Sequence, residues 1–460
     1  MRRMKKDYLN DVFKTLLWTL LFLVLFSFVP EIKVGSFTSR KVDMLSDIRL
    51  VKPQSHAKGP DRPVIADSDT LVVKRDTVVR QKKPVHKPNG VVLFEDYSED
   101  GSGLNRFCHA LDEVKKRPVR IAFLGDSFIE ADILTQNIRE ELQERFGGRG
   151  VGYVPMASMT AGFRRTVRHQ FDHWSTVSTV SHTKLDKNSI FIAGQYFIPE
   201  DGVSATFKGT SSLKGLSAFG SAKFLFVNRE NTEIRLAINK EDVRVYKPLS
   251  ADSLQCIEIE GEISSLDIKL SHPSGFTAFG VYLNDKIGIC VDNYSLRGTS
   301  GTHLSQVNVS LSREMSRYVD YDLIVLEYGQ NVVSKDVYDY RAYTDRMIKV
   351  VRHLKECYPD SDILIMGIGD RSRRGTNGFE TMPEIYEMIA AQRKIARDTK
   401  SVFWDTFMAM GGENSMVSYV EHKPVWANKD YTHITHAGGR PIAKKIVEAL
   451  MYRYNQESGL

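Results

Sequence analysis

Apolar positions along much of the chain switch between two periods, and the alternation sets the fold class. Short apolar, β-branched runs occur at Val119–Leu124 (VRIAFL), Asp322–Tyr328, Asp362–Gly367 and Val402–Phe407, each the length of a buried strand. Residues at helical spacing come between them: Ile129, Ile133, Ile138 and Leu142 after the first run, then the segments Tyr338–Cys357, Pro383–Lys400 and Gly439–Tyr454. Strand and helix in turn predict a parallel sheet covered by helices on both faces, an α/β, flavodoxin-like three-layer architecture.

From about Phe171 to Asp285 the pattern changes. AKFLFVN (222–228), TEIRLAIN (232–239), VRVYKPL (243–249) and LQCIEIEGE (254–262) are short alternating runs separated by polar turns. They predict an all-β sandwich inserted into the α/β domain. The glycine-rich segment Phe146–Met156 (FGGRGVGYVPM) reads as a loop passing close to the active site, or as a turn cluster joining the two domains.

The N-terminus has a third pattern. Arg2, Arg3, Lys5 and Lys6 precede an apolar stretch, Val12–Pro30, interrupted only by Lys14, whose stem can reach back to lipid headgroups. About nineteen residues suffice to span a bilayer with little tilt. The basic flank predicts an N-terminus in the cytoplasm and export of everything after Pro30. A cleaved signal peptide is the rival reading, but the residues after the apolar run, PEIKVGS, offer no small-x-small site. Residues 31–89, rich in Lys, Asp, Val and Pro, read as a tether, with Asp67–Arg80 as a possible extra strand of the main domain. The expected organisation is therefore a basic cytoplasmic segment (1–11), a transmembrane anchor (12–30), an extracytoplasmic tether (31–89), the α/β domain in two parts (90–170 and 286–460) and the inserted sandwich (171–285). This places the chain in the inner membrane as a single-pass protein with its main domains facing the periplasm or outside.

Charge narrows the partners. The net charge is +6, and residues 1–100 hold 18 Lys plus Arg against 13 Asp plus Glu, leaving a nearly neutral 45 against 44 in the rest. The basic excess thus belongs to anchor and tether, which argues against nucleic acid as a partner. Cys108, Cys256, Cys290 and Cys357 are widely spaced, without CxxC or metal-ligand pairing, so neither a metal nor another cofactor is expected, and no disulfide is required.

Four segments in fixed order carry the candidate chemistry: FLGDSF (with Gly125, Asp126, Ser127), NYSLRGTSG (Asn293–Gly301), EYGQN (Glu327–Asn331) and DYTHITHAGG (Asp430–Gly439). Ser127 follows a strand and precedes helical spacing, a turn that presents a hydroxyl at the C-terminal edge of a sheet. A serine hydroxyl needs a base to become nucleophilic, and His433 is the candidate. Asp430, three residues earlier, can share a face with His433, orient the ring and stabilise the imidazolium. The Asn331 side-chain amide and the backbone amides of Gly298 and Ser127 are candidate donors to an oxyanion. Each residue also has a plain structural reading: Ser127, Asn331 and Asp430 as caps, His433 as a satisfied histidine. The convergence of four segments in order outweighs those readings taken singly.

These blocks resemble the SGNH (GDSL-type) serine hydrolase superfamily. The resemblance implies Ser127 as nucleophile, Gly298 as oxyanion glycine in the context Asn293-x-Ser295-x-x-Gly298, Gly329 and Asn331 as the third block, and Asp430 with His433 as the last. Val332 stands where the family often has aspartate, and His436 is a possible decoy for His433. Ser127 and Gly298 lie 171 positions apart, and the layout is similar to that of bacterial peptidoglycan O-acetylesterases whose SGNH domain is interrupted by a carbohydrate-binding-like β-sandwich. It implies a membrane-anchored, extracytoplasmic serine esterase that removes O-acetyl or other short acyl groups from an envelope polysaccharide such as peptidoglycan, with the acylated glycan and the inner membrane as partners. Two alternatives stay open: a polysaccharide O-acetyltransferase using the same triad, and a non-catalytic glycan-binding envelope protein.

Overall fold

The computed structural model describes residues 88–181 and 184–458, together with Lys14, Leu17, Trp18, Lys33–Val34 and Phe37–Thr38. The chain divides into two units, residues 1–79 and 80–460. In the first, Lys33–Val34 pairs antiparallel with Phe37–Thr38. The expected membrane segment 12–30 lies outside the described residues except at Lys14, Leu17 and Trp18, and the expected tether lies almost wholly outside them. Among the described residues no helix is long and apolar enough to cross a membrane.

The second unit is built on a six-stranded sheet of β1 (Glu95–Asp96), β2 (Pro118–Gly125), β3 (Gly288–Ser295), β4 (Leu323–Glu327), β5 (Asp362–Met366) and β6 (Val402–Trp404), in the order β3-β2-β4-β5-β6-β1. Strands β2 to β6 run parallel, and β1 closes the edge antiparallel. Among the parallel strands the order is second, first, third, fourth, fifth, the flavodoxin-like doubly wound arrangement. Side chains alternate between faces. Ala122 and Leu124 of β2 pack into one cluster with the helices Arg341–Cys357 and Glu384–Asp398, while Ile121 and Phe123 pack into another with Asn105–Asp112, Thr135–Phe146 and His436–Ser458. The apolar runs read from the sequence are thus buried on both faces, as the three-layer expectation required.

One expected helix begins late. Helical spacing from Phe128 pointed to a helix directly after Ser127, yet the chain makes a 3₁₀ turn at Glu130–Asp132 and the helix starts at Thr135. Ala131 and Asp132 adopt left-handed conformations, φ 50° and 62°, which interrupt any continuous helix.

Between β2 and β3 the chain forms nine antiparallel strands: 150–154, 167–178, 195–209, 219–228, 233–238, 242–246, 251–263, 265–271 and 276–284. They surround one apolar cluster that includes Phe197, Phe207, Phe219, Phe224, Phe226 and Phe276. The expected start at residue 171 falls inside strand 167–178, which pairs with 195–209 on both sides of that point. The glycine-rich segment read as a loop is instead a fully buried strand, Gly150–Val154, paired with Phe276–Asn284. Its glycines are there for close approach: at Gly152 (φ +73°) a Cβ would run into the Val291 carbonyl of β3.

A buried ionic cluster joins these parts. Asp132, with a fully buried side chain, accepts from Arg139 (3.2 Å), Arg164 Nε (2.9 Å), Thr166 Oγ1 (2.6 Å) and Thr135 Oγ1 (2.8 Å). Arg139 also donates to the Val291 carbonyl of β3, and Arg164 to the carbonyls of Val151 and Tyr153. Burial alone would raise the Asp132 pKa, but the two guanidinium groups outweigh it and hold the carboxyl well below the usual range. Removing one partner of such a cluster strands the others in a dry interior. Asp132→Ala is expected to cost about 3–5 kcal/mol in chemical denaturation; a loss below about 1 kcal/mol would show that the cluster does not hold the turn.

His169 gives a second handle on stability. Its ring stacks on Phe207 with centroids 4.9 Å apart, Nε2 lies 3.2 Å from the Met156 carbonyl oxygen, and burial pushes its pKa down to about 4. A histidine depressed in the folded state contributes stability above its unfolded pKa, near 6.5, and loses it as pH falls toward the folded value. Relative to His169→Phe, the wild type should therefore lose about 2–3 kcal/mol between pH 7.5 and 4.5. Urea unfolding of both proteins at the two pH values measures this, and a pH-independent difference would overturn it.

Candidate active site

The four segments singled out in the sequence meet at the C-terminal edge of the sheet, beyond β2, β3 and β4. In the parallel ladders Gly125 is opposite Ser295 on one side and Glu327 on the other, so the loops that follow these three strands emerge together. The β2/β4 junction is the point where strand order reverses, the usual ligand site of an open parallel sheet. Ser127 follows β2, Gly298 follows β3, and Asn331 follows β4.

The fourth segment is a turn aimed at this edge. Asp430 Oδ1 accepts the backbone N–H groups of Thr432 and His433, both at 3.0 Å, and its Oδ2 lies 2.8 Å from His433 Nδ1. Tyr431 takes a left-handed conformation (φ 54°), its carbonyl accepts the Ser372 N–H at 3.0 Å, and its ring stacks on Phe379 at 3.6 Å. With Nδ1 turned to a carboxylate, the tautomer that fits carries its proton there and leaves Nε2 as an acceptor. His433 Nε2 lies 2.9 Å from Ser127 Oγ. Burial would raise the Asp430 pKa, but the hydrogen bonds from His433 and Thr432 lower it below the ordinary value, so the carboxylate stays ionised near neutrality. His436 takes no part: it begins the last helix, and its Nε2 is buried.

The donors are arranged differently from the sequence expectation. Asn331 Nδ2 already donates twice, to Asp126 Oδ2 at 2.7 Å and to the Thr299 carbonyl at 3.1 Å. Both amide hydrogens are therefore committed in this state. Among the described residues the backbone N–H groups of Ser127 and Gly298 have no hydrogen-bond acceptor. Gly298, at φ +74°, is exposed and has open space where a Cβ would sit. Asn293 is a brace rather than a reactive group: its Nδ2 donates to the Ile129 carbonyl and to Thr135 Oγ1, both at 2.7 Å, tying β3 to the turn after Ser127.

Two carboxyl groups behind the serine were not assigned from the sequence. Asp126 is fully buried, accepts the Phe128 N–H at 2.9 Å, and is pushed up to about 6 by burial. Glu327, at the end of β4, is 1% exposed, and its carboxyl faces the backbone N–H of Asp126. Burial, then the neighbouring Asp126 charge, raises its pKa well above the ordinary range, so Glu327 is held as a neutral acid. The available signal was its position: a glutamate closing an otherwise apolar strand, LIVLE. Among the described residues no group of three His, Cys, Asp or Glu side chains is placed to hold a metal ion.

No protein-family model matches the chain, and no curated protein matches it. Among solved structures it is similar to one described as "Peptidoglycan O-acetylesterase in action, 5 min", with a TM-score of 0.62 and 21% identity, covering 79% of this chain and 99% of that one. A family two carbohydrate esterase from Cellvibrio japonicus overlaps at a TM-score of 0.27 and 11% identity, covering 63% of this chain and 98% of its own, too loosely to carry an argument. The first likeness shows that the chain shares the fold of that structure.

Proposed function

We propose that the chain is a serine esterase that removes O-acetyl or other short acyl groups from an envelope polysaccharide such as peptidoglycan. The observation that carries this reading is the hydrogen-bonded relay from Ser127 Oγ through the His433 ring to the Asp430 carboxylate, at 2.9 and 2.8 Å. Ser127 attacks the ester carbonyl while His433 Nε2 takes its proton, and the Asp430 carboxylate stabilises the imidazolium. The tetrahedral oxyanion is received by the N–H groups of Ser127 and Gly298, and Asn331 adds a third donor by exchanging its Thr299 contact for the substrate. The protonated His433 then delivers its proton to the departing sugar hydroxyl. Water, activated by the same ring, releases the acyl group from Ser127.

The substrate class rests on the fold shared with a peptidoglycan O-acetylesterase, and the nine inserted strands are read as a sandwich that braces or extends the glycan site. The basic and apolar N-terminal sequence supports an anchor in the inner membrane, with the esterase facing the periplasm. The His433 and Asp430 side chains are 44% and 48% exposed, which favours water over a second sugar as the acceptor of the acyl group.

Acetate release from O-acetylated peptidoglycan tests the reading directly. Ser127→Ala is expected to lower kcat by about 10⁴-fold or more with the circular dichroism spectrum unchanged. Undiminished release would remove Ser127 from the reaction, and acetyl transfer to an added glycan in place of acetate release would convert the esterase into a transferase.

Asp430→Asn tests the relay separately. Asparagine can keep the contact to Nδ1 but favours the wrong tautomer, so kcat should fall on the order of 10³–10⁴-fold with KM little changed. A drop of less than tenfold would mean that His433 is oriented by something else.

A further inference from the structure

A cavity of about 520 Å³ lies where the inserted strands meet the catalytic sheet. Glu130, three positions after Ser127, and Arg297, the residue before Gly298, both line it and pair with each other, Arg297 Nε to Glu130 Oε2 at 2.8 Å. The cavity therefore adjoins the serine turn on one side and the oxyanion loop on the other. Its far wall comes from Met159 and Phe163 on the segment after strand 150–154, and from Thr176 and Gln195 of the inserted strands.

Two features mark this space as a binding site. Its rim includes Ala131 and Asp132, two consecutive non-glycine residues at positive φ; such strain persists where surrounding structure enforces it and clusters at functional sites. Met159 and Phe163 are 91% and 71% exposed at the cavity, large apolar groups left in water.

The lining also selects the ligand class. The carboxylates of Glu130 and Asp132 are already paired, with Arg297 and with Arg139 and Arg164. What remains are neutral groups, the Thr176 hydroxyl and the Gln195 amide beside the Tyr153 hydroxyl, and the apolar faces of Phe163 and Met159. Neutral hydrogen-bonding groups beside apolar faces suit a ring that is hydroxylated at its edge and apolar on its faces. Building on the esterase reading, we propose that this cavity is a glycan subsite holding the sugar next to the acylated one, with Phe163 and Met159 as its apolar platform. The subsite fixes the register of the polymer so that one ester is presented to Ser127.

The test uses the full chain with Phe163→Ala, Met159→Ala and the double substitution, all at exposed positions. In the double variant KM for O-acetylated glycan strands is expected to rise about tenfold, with kcat and cleavage of 4-nitrophenyl acetate unchanged. Calorimetric binding of a de-O-acetylated peptidoglycan tetrasaccharide to the Ser127→Ala chain should weaken by the same factor when the two substitutions are added. Binding and KM unchanged by the substitutions would overturn the subsite, whatever the turnover. Wild-type cleavage of 4-nitrophenyl octanoate that is lost selectively in the double variant would overturn it too, assigning the cavity to an acyl chain. Tetrasaccharide binding that depends on Phe163 and Met159, in a protein without turnover on any ester, would uphold the subsite and sink the esterase reading instead.

Discussion

The structure depends on one buried carboxylate. Asp132 lies five residues after Ser127, and its partners belong to two other parts of the chain: Arg139 from the helix behind the serine turn, and Arg164 and Thr166 from the segment between the first two inserted strands. Through Arg139 and Arg164 the same cluster reaches the carbonyls of Val291, Val151 and Tyr153. A lone charge in this interior would be untenable, so the three parts are held in one geometry by the need to keep the charges satisfied. The left-handed turn at Ala131 and Asp132 is part of that arrangement: it ends the strand-loop early, delays the helix to Thr135, and brings Glu130 to Arg297 beside the oxyanion loop. An insertion of more than a hundred residues between strands of one sheet is thus locked to the serine turn by charge rather than by apolar contact alone.

The parallel sheet does the rest of the positioning. Because β2, β3 and β4 are adjacent and end together, three loops far apart in sequence emerge within side-chain reach of one another. That is why Ser127, Gly298 and Asn331 form one edge while being separated by up to 204 positions. Asp430 and His433 are placed differently, by a turn whose backbone N–H groups cap the carboxylate that orients the ring. The turn is self-contained, so its geometry travels with the sequence D-Y-T-H, and the last helix needs only to bring it to the sheet.

This division explains what could be read from the sequence. The parallel strands are continuous apolar runs buried on both faces, and Val119–Leu124 or Asp362–Gly367 announce themselves by composition. The D-x-x-H turn is local, so Asp430 and His433 were legible as a pair. What was not legible depends on contacts across the fold. Gly150–Val154 looks like a loop because its glycines signal turns, whereas in the structure they let a strand press against Val291. Helical spacing at Ile129, which is buried, and Ile133, which is half-buried, marked packing but not a helix, because Ala131 and Asp132 turn left-handed between them. Strands 167–178 and 195–209 carry charged and polar residues on their outer positions and gave weaker alternation than the runs that follow.

The acid pair behind the serine completes the electrostatic logic of the site. In the proposed reaction an oxyanion over Ser127 would be opposed by two ionised carboxylates beneath it, and the Asp126 charge adds to burial in raising the Glu327 pKa. Burial settles the conflict by keeping Glu327 neutral, leaving Asp126 as the group whose charge can vary, with a pKa of about 6. The Asp126 charge is in turn spread over hydrogen bonds from the Phe128 N–H and the Asn331 amide. The same Asn331 amide is one of the three proposed donors to the oxyanion. In the proposed reaction the Asn331 hydrogen that leaves the Thr299 carbonyl turns to the oxyanion while the other stays on Asp126, so one amide answers to both negative charges. With Ser127 as the proposed nucleophile, a buried acid beneath it suits an oxyanion above it because burial makes that acid reluctant to ionise.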